Sequence, residues 1–308
     1  MNNYISRFTW PSIISRFKFL FLILSEPFVY YPIQLAGFLG LIDLSKIYRG
    51  NRLREKVVSP VVRVCIHEWG GYEMKRKKIV EGRCFNCGLF SQIERFKKYR
   101  EKGVVNLTIT MSDVANHPDV GVVKSNCDEF IEVSNVGMDF NGYSTFYRKN
   151  KNEDNCYVIL TNSSVEESQC DFLEGYIKYM EDNPDVGILG ISYSTRMYHT
   201  LIRRNFVPHI QSFFIMTTLE VLKEIVTVNK GRFPGENAIY KRLLIRKGEI
   251  PLSKIALKLG YRLAVVYPED GIPFKFIDKK HWNHPFDDLR LSCTTPNKLV
   301  PIAEPKLN

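Results

Sequence analysis

From residue 61 onward, short β-branched runs alternate with charged, amphipathic stretches, and that alternation admits few architectures other than a layered α/β fold. Residues 61–66 have the length and β-branching of a buried first strand. Residues 90–102 read as an amphipathic helix, and 104–111 as a second strand ending at the turn-forming pair Ser112-Asp113. Residues 130–133 and 156–161 are a third and a fourth strand, and 172–180 a helix. Strands separated by helices pair mostly in parallel, and such sheets bind ligands at the carboxyl ends of their strands. The loops after Met111, Val133 and Thr161 are therefore the places where function is expected.

Two of these loops carry distinctive side chains. Ser134-Asn135-Val136-Gly137-Met138-Asp139-Phe140-Asn141-Gly142 combines glycines, asparagines and an aspartate, as a tight turn leading into a helix near Gly142 would. Asp139 is either a helix cap or a ligand-binding carboxylate. Asn162-Ser163-Ser164 after the fourth strand is short and polar, an N-cap signal by itself.

The first 56 residues hold eight Lys or Arg and three acids, about half of the +10 formal charge. Residues 17–42 are apolar and aromatic, but Lys18, Glu26, Pro27, Pro32 and Gln34 interrupt them, so no run of about 20 apolar residues suited to a spanning helix is present. Arg16 and Lys18 on one side, and Lys46, Arg49, Arg52, Arg54 and Lys56 on the other, frame this surface with cations. That pattern suits an interfacial segment on an anionic membrane, or a helical hairpin packed on the following domain. Basic charge also suits nucleic acid, but a groove-facing basic helix is missing, and nucleic acid is not an expected partner.

The seven cysteines are odd in number and scattered, which fits reduced thiols in a cytoplasm. Cys65, His67, Cys84 and Cys87 hold the donor types of a zinc site; the plainer alternative is a buried strand thiol and two loop cysteines.

Four segments in order carry a resemblance. Asn135-x-Gly137-x-Asp139-Phe140 comes first, then Val158-Ile159-Leu160-Thr161-Asn162-Ser163-Ser164-Val165. Pro208-His209-Ile210-Gln211-Ser212-Phe213-Phe214 follows, then Glu249-Ile250-Pro251-Leu252-Ser253 with Leu259-Gly260-Tyr261-Arg262. Together they resemble the rhamnan synthesis protein F group of polysaccharide-building glycosyltransferases, across about two-thirds of the chain. The resemblance implies a GT-A type, Rossmann-like α/β fold with a mixed, mostly parallel sheet over 59–270. It would follow a membrane-associating helical segment, 1–58, and precede a packed tail, 271–308, that includes His281, Trp282 and His284.

The implied activity is inverting transfer of a sugar, for example a deoxyhexose such as rhamnose, from a nucleotide-sugar donor to a glycan or lipid-linked glycan at the cytoplasmic face of a membrane. The pattern puts the general base at Glu249, with Glu236 in reserve; Glu249 also reads as part of a solvated turn before a helix capped by Ser253. Asn135, Gly137, Asp139, Asn162, Ser163 and Ser164 would hold the donor, and His209, Gln211 and Ser212 would line the pocket. At the place where the group carries Thr-Asn-Asp-Ser, this chain has Thr161-Asn162-Ser163-Ser164. Hydroxyls and an amide hold hard divalent cations poorly. No metal cofactor is therefore expected, and Arg148, Lys149 or Arg196 would neutralise the diphosphate instead. An inactive scaffold of the same fold is the alternative.

Overall fold

The computed structural model describes residues 10–42, 52–80, 83–167, 171–194, 197, 199–202, 207–266 and 273–275. The chain opens with α1 (Trp10–Phe38) and enters the sheet at β1 (Val62–Trp69). A hairpin, β2 (Arg76–Val80) and β3 (Arg83–Cys87), precedes α2 (Leu89–Glu101), β4 (Val105–Ser112), α3 (Val120–Ser125) and β5 (Glu129–Val133). Then come α4 (Asp139–Asn150), β6 (Tyr157–Asn162), α5 (Leu173–Asp182), β7 (Val186–Gly190), β8 (Tyr193–Ser194) and β9 (His209–Ile210). The chain continues through β10 (Phe214–Thr218), α6 (Leu219–Val228), α7 (Lys241–Leu244), a π-helical turn (Ile245–Glu249), α8 (Ile250–Lys258), β11 (Arg262–Val266) and β12 (Pro273–Lys275).

Eight strands form one sheet in the order β12-β11-β7-β10-β6-β1-β4-β5. All run parallel except β10, inserted between β6 and β7, and the edge strand β12. Successive residues of β1 from Val64 to Glu68 are buried, so both faces of the sheet are covered, as a central parallel strand requires. On one face Phe172 meets Phe96, Tyr99, Tyr176 and Phe214 edge-on, tying α2 and α5 to β10. On α4, Gly142 lies so close to His67 and Thr110 that a Cβ there would stand 2.4 Å from both side chains. The expected strands and helices are present with ends moved by one to three residues. The largest shift matters: β1 runs on to Trp69, which brings His67 and Glu68 into the sheet.

The N-terminal segment departs from expectation. It is one helix of 29 residues with Pro27 and Pro32 inside it, and by length and composition it is long and apolar enough to cross a membrane. Interruptions that break the linear run leave one helical stripe apolar, because none of them falls at its positions. One face docks on the domain: Ser12, Ser15 and Phe19 are buried, Phe19 meets Tyr240 edge-on at 5.5 Å, and the Arg16 guanidinium lies over the same ring. Another presents Phe17, Phe21, Leu24, Phe28, Tyr31, Leu35 and Phe38, all exposed and spaced alternately by four and three residues. Of the expected flanking cations, Arg54 is buried, donating from Nε to the Val186 carbonyl at 2.6 Å, and Arg52 pairs with Glu224. Lys46 and Arg49 lie outside the described residues.

Candidate active site

After β1 the chain adds β4 and β5 on one side, then returns to lay β6 on the other. The carboxyl ends of β1 and β6 thus flank a topological switch point, where open α/β sheets leave a crevice for ligands. β6 ends at Asn162, and β10 runs antiparallel beside it. The Asn162 N–H and the Thr161 hydroxyl both donate to the Phe213 carbonyl, at 3.3 and 2.8 Å, which brings Ser212 beside the strand end.

Two carboxylates converge there. Asp139 is the first residue of α4, and its side chain accepts from Asn162 Nδ2 at 3.3 Å and hydrogen-bonds Ser212. Glu249 ends the π turn, and its Oε1 accepts from Ser212 Oγ at 2.7 Å and Ser212 N at 3.4 Å. The expected solvated turn around Glu249 is instead part of a continuous helical stretch. Ser253 is no cap: it lies inside α8 and accepts from the Ile210 N–H at 2.9 Å. Close glycine packing fixes the turn, since a Cβ on Gly248 would meet the Phe140 ring at 3.0 Å and one on Gly235 would meet Gly248 Cα at 2.8 Å. Tyr143 completes the floor, donating to the Ser212 carbonyl at 3.0 Å.

Burial, with a smaller push from the nearby Asp139 charge, raises the Glu249 carboxyl to about 7 against the Ser212 hydrogen bond. Asp139 is also raised, chiefly by burial, while Ser212, Lys241 and Asn162 pull it down. One hydroxyl hydrogen cannot serve two carboxylates, so a second proton shared in this group is favourable. A carboxyl poised near neutrality at a strand end is suited to general acid–base work.

A second group lies across the crevice and was not visible in the sequence. Glu68 is buried at the end of β1, with Oε1 accepting from the Trp69 N–H at 2.9 Å and 3.5 Å from Arg76 Nη1. Arg76 Nη2 donates to Ser163 Oγ at 2.7 Å and to the Ser163 carbonyl at 3.1 Å, and its guanidinium stacks on Tyr72. The Ser163 hydroxyl thus already faces a cation. The sequence signals that could have found this group are Glu68, two residues past the expected strand end at Ile66, and Arg76 in the basic stretch that follows.

Other candidates are dispersed. Asn135 takes a 3.5 Å hydrogen bond from Ser112 at the end of β4, and Asn162 Oδ1 accepts from the Ser164 N–H at 3.0 Å. His209 and Gln211 are buried and bond away from the carboxylates. His209 Nδ1 is 2.8 Å from the Val207 carbonyl, and burial lowers the ring to about 4; Gln211 accepts from Ser192. Glu236 accepts from Ser144 and lies 3.5 Å from Arg148. Arg148 and Lys149 sit at the far end of α4, about 14 Å along the helix from Asp139, with Lys149 paired to Glu129. Arg196, His281, Trp282 and His284 lie outside the described residues. Cys65 is buried beside Thr110 whereas Cys84 is exposed on the hairpin, and among the described residues no group of three or more His, Cys, Asp or Glu is placed to hold a metal.

Gly137 sets the entry to α4. Its φ is +86°, its N–H donates to the Ala238 carbonyl at 3.1 Å, and a Cβ would stand 2.2 Å from the Glu236 carbonyl oxygen. Gly137→Ala is expected to cost about 3 kcal/mol through backbone strain and overpacking. Gly103→Ala, at φ +72° in open space, should cost only about 1 kcal/mol. Urea midpoints compare the two; equal losses would mean that the contact with Glu236 carries no weight.

No protein-family model matches the chain, and no match is found among curated proteins.

Proposed function

We propose that this chain is a nucleotide-sugar-dependent glycosyltransferase of GT-A type, related to the rhamnan synthesis protein F group and acting at the cytoplasmic face of a membrane. The observation that carries the proposal is the meeting of Asp139, Asn162, Ser212 and Glu249 beside the switch-point crevice, with the Glu249 carboxyl near 7. A mixed, mostly parallel sheet also supports a GT-A assignment.

Glu249 takes the proton from the acceptor hydroxyl as its oxygen bonds to the sugar C1. The bond from C1 to the diphosphate oxygen breaks, and a nucleoside diphosphate leaves with the electron pair. Asp139 and Asn162 hold polar groups of the donor sugar. Lys241, whose charge reaches both carboxylates, and Arg76 are cations suited to the leaving diphosphate, so no divalent ion is required.

The exposed stripe of α1 takes an anionic bilayer surface as its partner. Arg16 and Lys18 on α1, and Arg242 and Lys247 on the elements beside it, are exposed cations complementary to acidic headgroups.

A thermal-shift series with UDP-, GDP-, dTDP- and CMP-sugars tests the donor class. A ligand at 100 times its dissociation constant adds about 2.7 kcal/mol, several degrees in Tm, and the shift should persist in EDTA. Loss of transfer in EDTA with recovery in Mn²⁺ would overturn metal independence. No shift with any donor, with or without metal, would point to an inactive scaffold of the same fold.

A further inference from the structure

α1 contains one acidic residue, Glu26, and it faces the domain rather than water. Its Oε2 lies 2.7 Å from Arg246 Nη2 and also accepts from the Thr200 hydroxyl. Arg246 is the second residue of the π turn that ends at Glu249, and its side chain is only 3% exposed. Its Nε and Nη1 have no hydrogen-bond partner among the described residues. Glu26 is thus the countercharge of a buried guanidinium within one turn of the candidate base. Lys254, on the following helix, also feels the Glu26 charge.

The same pair decides how α1 meets a membrane. Glu26 is near the middle of the helix, and residues 12, 15 and 19 are buried ahead of it, so the N-terminal half of the helix is fastened to the domain. Upright insertion would carry Glu26 and the attached domain surface toward the hydrocarbon centre, where charge is strongly disfavoured. The helix therefore lies along the interface, with its stripe toward lipid and Glu26 toward the domain.

We propose that Glu26 and Arg246 are positioning residues that clamp the π turn, so that docking of α1 sets the placement of Glu249. A π turn holds one residue more per turn than the α-helix around it, and such turns persist where tertiary contacts favour them. Without Glu26, the buried guanidinium loses its countercharge and is driven toward water. The turn can then relax to α geometry, rotating Glu249 away from Ser212. The consequence for catalysis rests on the transferase proposal; the clamp itself does not.

The test uses the full-length chain with Glu26→Ala, Glu26→Gln, and the exchanged pair Glu26→Arg with Arg246→Glu. Glu26→Ala should speed hydrogen exchange at amides 245–249 tenfold or more and leave β1 and β6 unchanged. Turnover should fall by a similar factor with donor affinity unaltered. Glu26→Gln, which keeps a hydrogen-bond acceptor, should fall between, and the exchanged pair should recover part of both losses. Unchanged exchange at 245–249 would overturn the clamp. Equal loosening of β1 and β6 would also overturn it, by making the pair a general stabiliser. If the wild type turns over no donor, the transferase proposal falls, and hydrogen exchange alone decides the clamp.

Discussion

Glu249→Gln is expected to lower turnover by about 10²- to 10⁴-fold, the usual contribution of a positioned general base, while donor affinity is retained. Gln preserves the shape and can still accept from Ser212 Oγ, so the difference isolates the ability to take a proton. The wild-type rate should rise with pH to a plateau above about 7, because the base acts deprotonated and its carboxyl is pushed up to about 7. Stability should respond in the opposite sense. A carboxyl whose folded pKa lies above its unfolded value stabilises the fold most below the unfolded value, and that contribution is lost as pH rises through about 7. Glu249→Gln should therefore melt no lower than the wild type at pH 8, with its relative advantage shrinking as pH falls from about 7 toward 4.5. A variant that loses donor affinity, turnover and melting temperature together would assign Glu249 a structural role.

The second large effect concerns the membrane. Phe21→Glu combined with Phe28→Glu should release the chain from anionic vesicles, because both rings are exposed on the outward stripe of α1, at 74% and 81%. Burying one such side chain contributes about 1.5–3 kcal/mol, so losing two weakens partitioning by about 10²- to 10⁴-fold. The melting temperature should hold, since neither ring packs in the core. Val122→Glu, an exposed apolar residue on α3, is the control and should leave vesicle binding intact. Unchanged flotation of the double variant would remove the bilayer as partner of this face. A fall in oligomeric mass instead would make a second copy the occupant.

These two experiments probe parts of the molecule that the sequence disclosed to different degrees. The central strands were legible because their signal is local. An apolar run such as Val158-Ile159-Leu160 suits a strand buried on both faces of a sheet. Asp139 and Asn162 were nameable from their places after the third and fourth strands, Ser212 and Glu249 only through the family resemblance. Their convergence was not legible, since 110 residues separate Asp139 from Glu249 and only the return of β10 and the π turn closes that distance. Glu68 and Arg76 escaped notice for a related reason. Burial of a charge is a property of its surroundings, and one strand does not reveal them.

Local composition by itself determined an α/β fold with function at the strand ends and a basic, aromatic N-terminal segment. Tertiary structure decided the rest. It placed His209 and Gln211 in buried hydrogen bonds away from the carboxylates, gave Ser163 a guanidinium partner, and joined α1 to the π turn through Glu26. The physical reason is range. Hydrophobic period is written over a few residues, whereas the pairing and desolvation of a charge depend on groups that folding brings from distant parts of the chain.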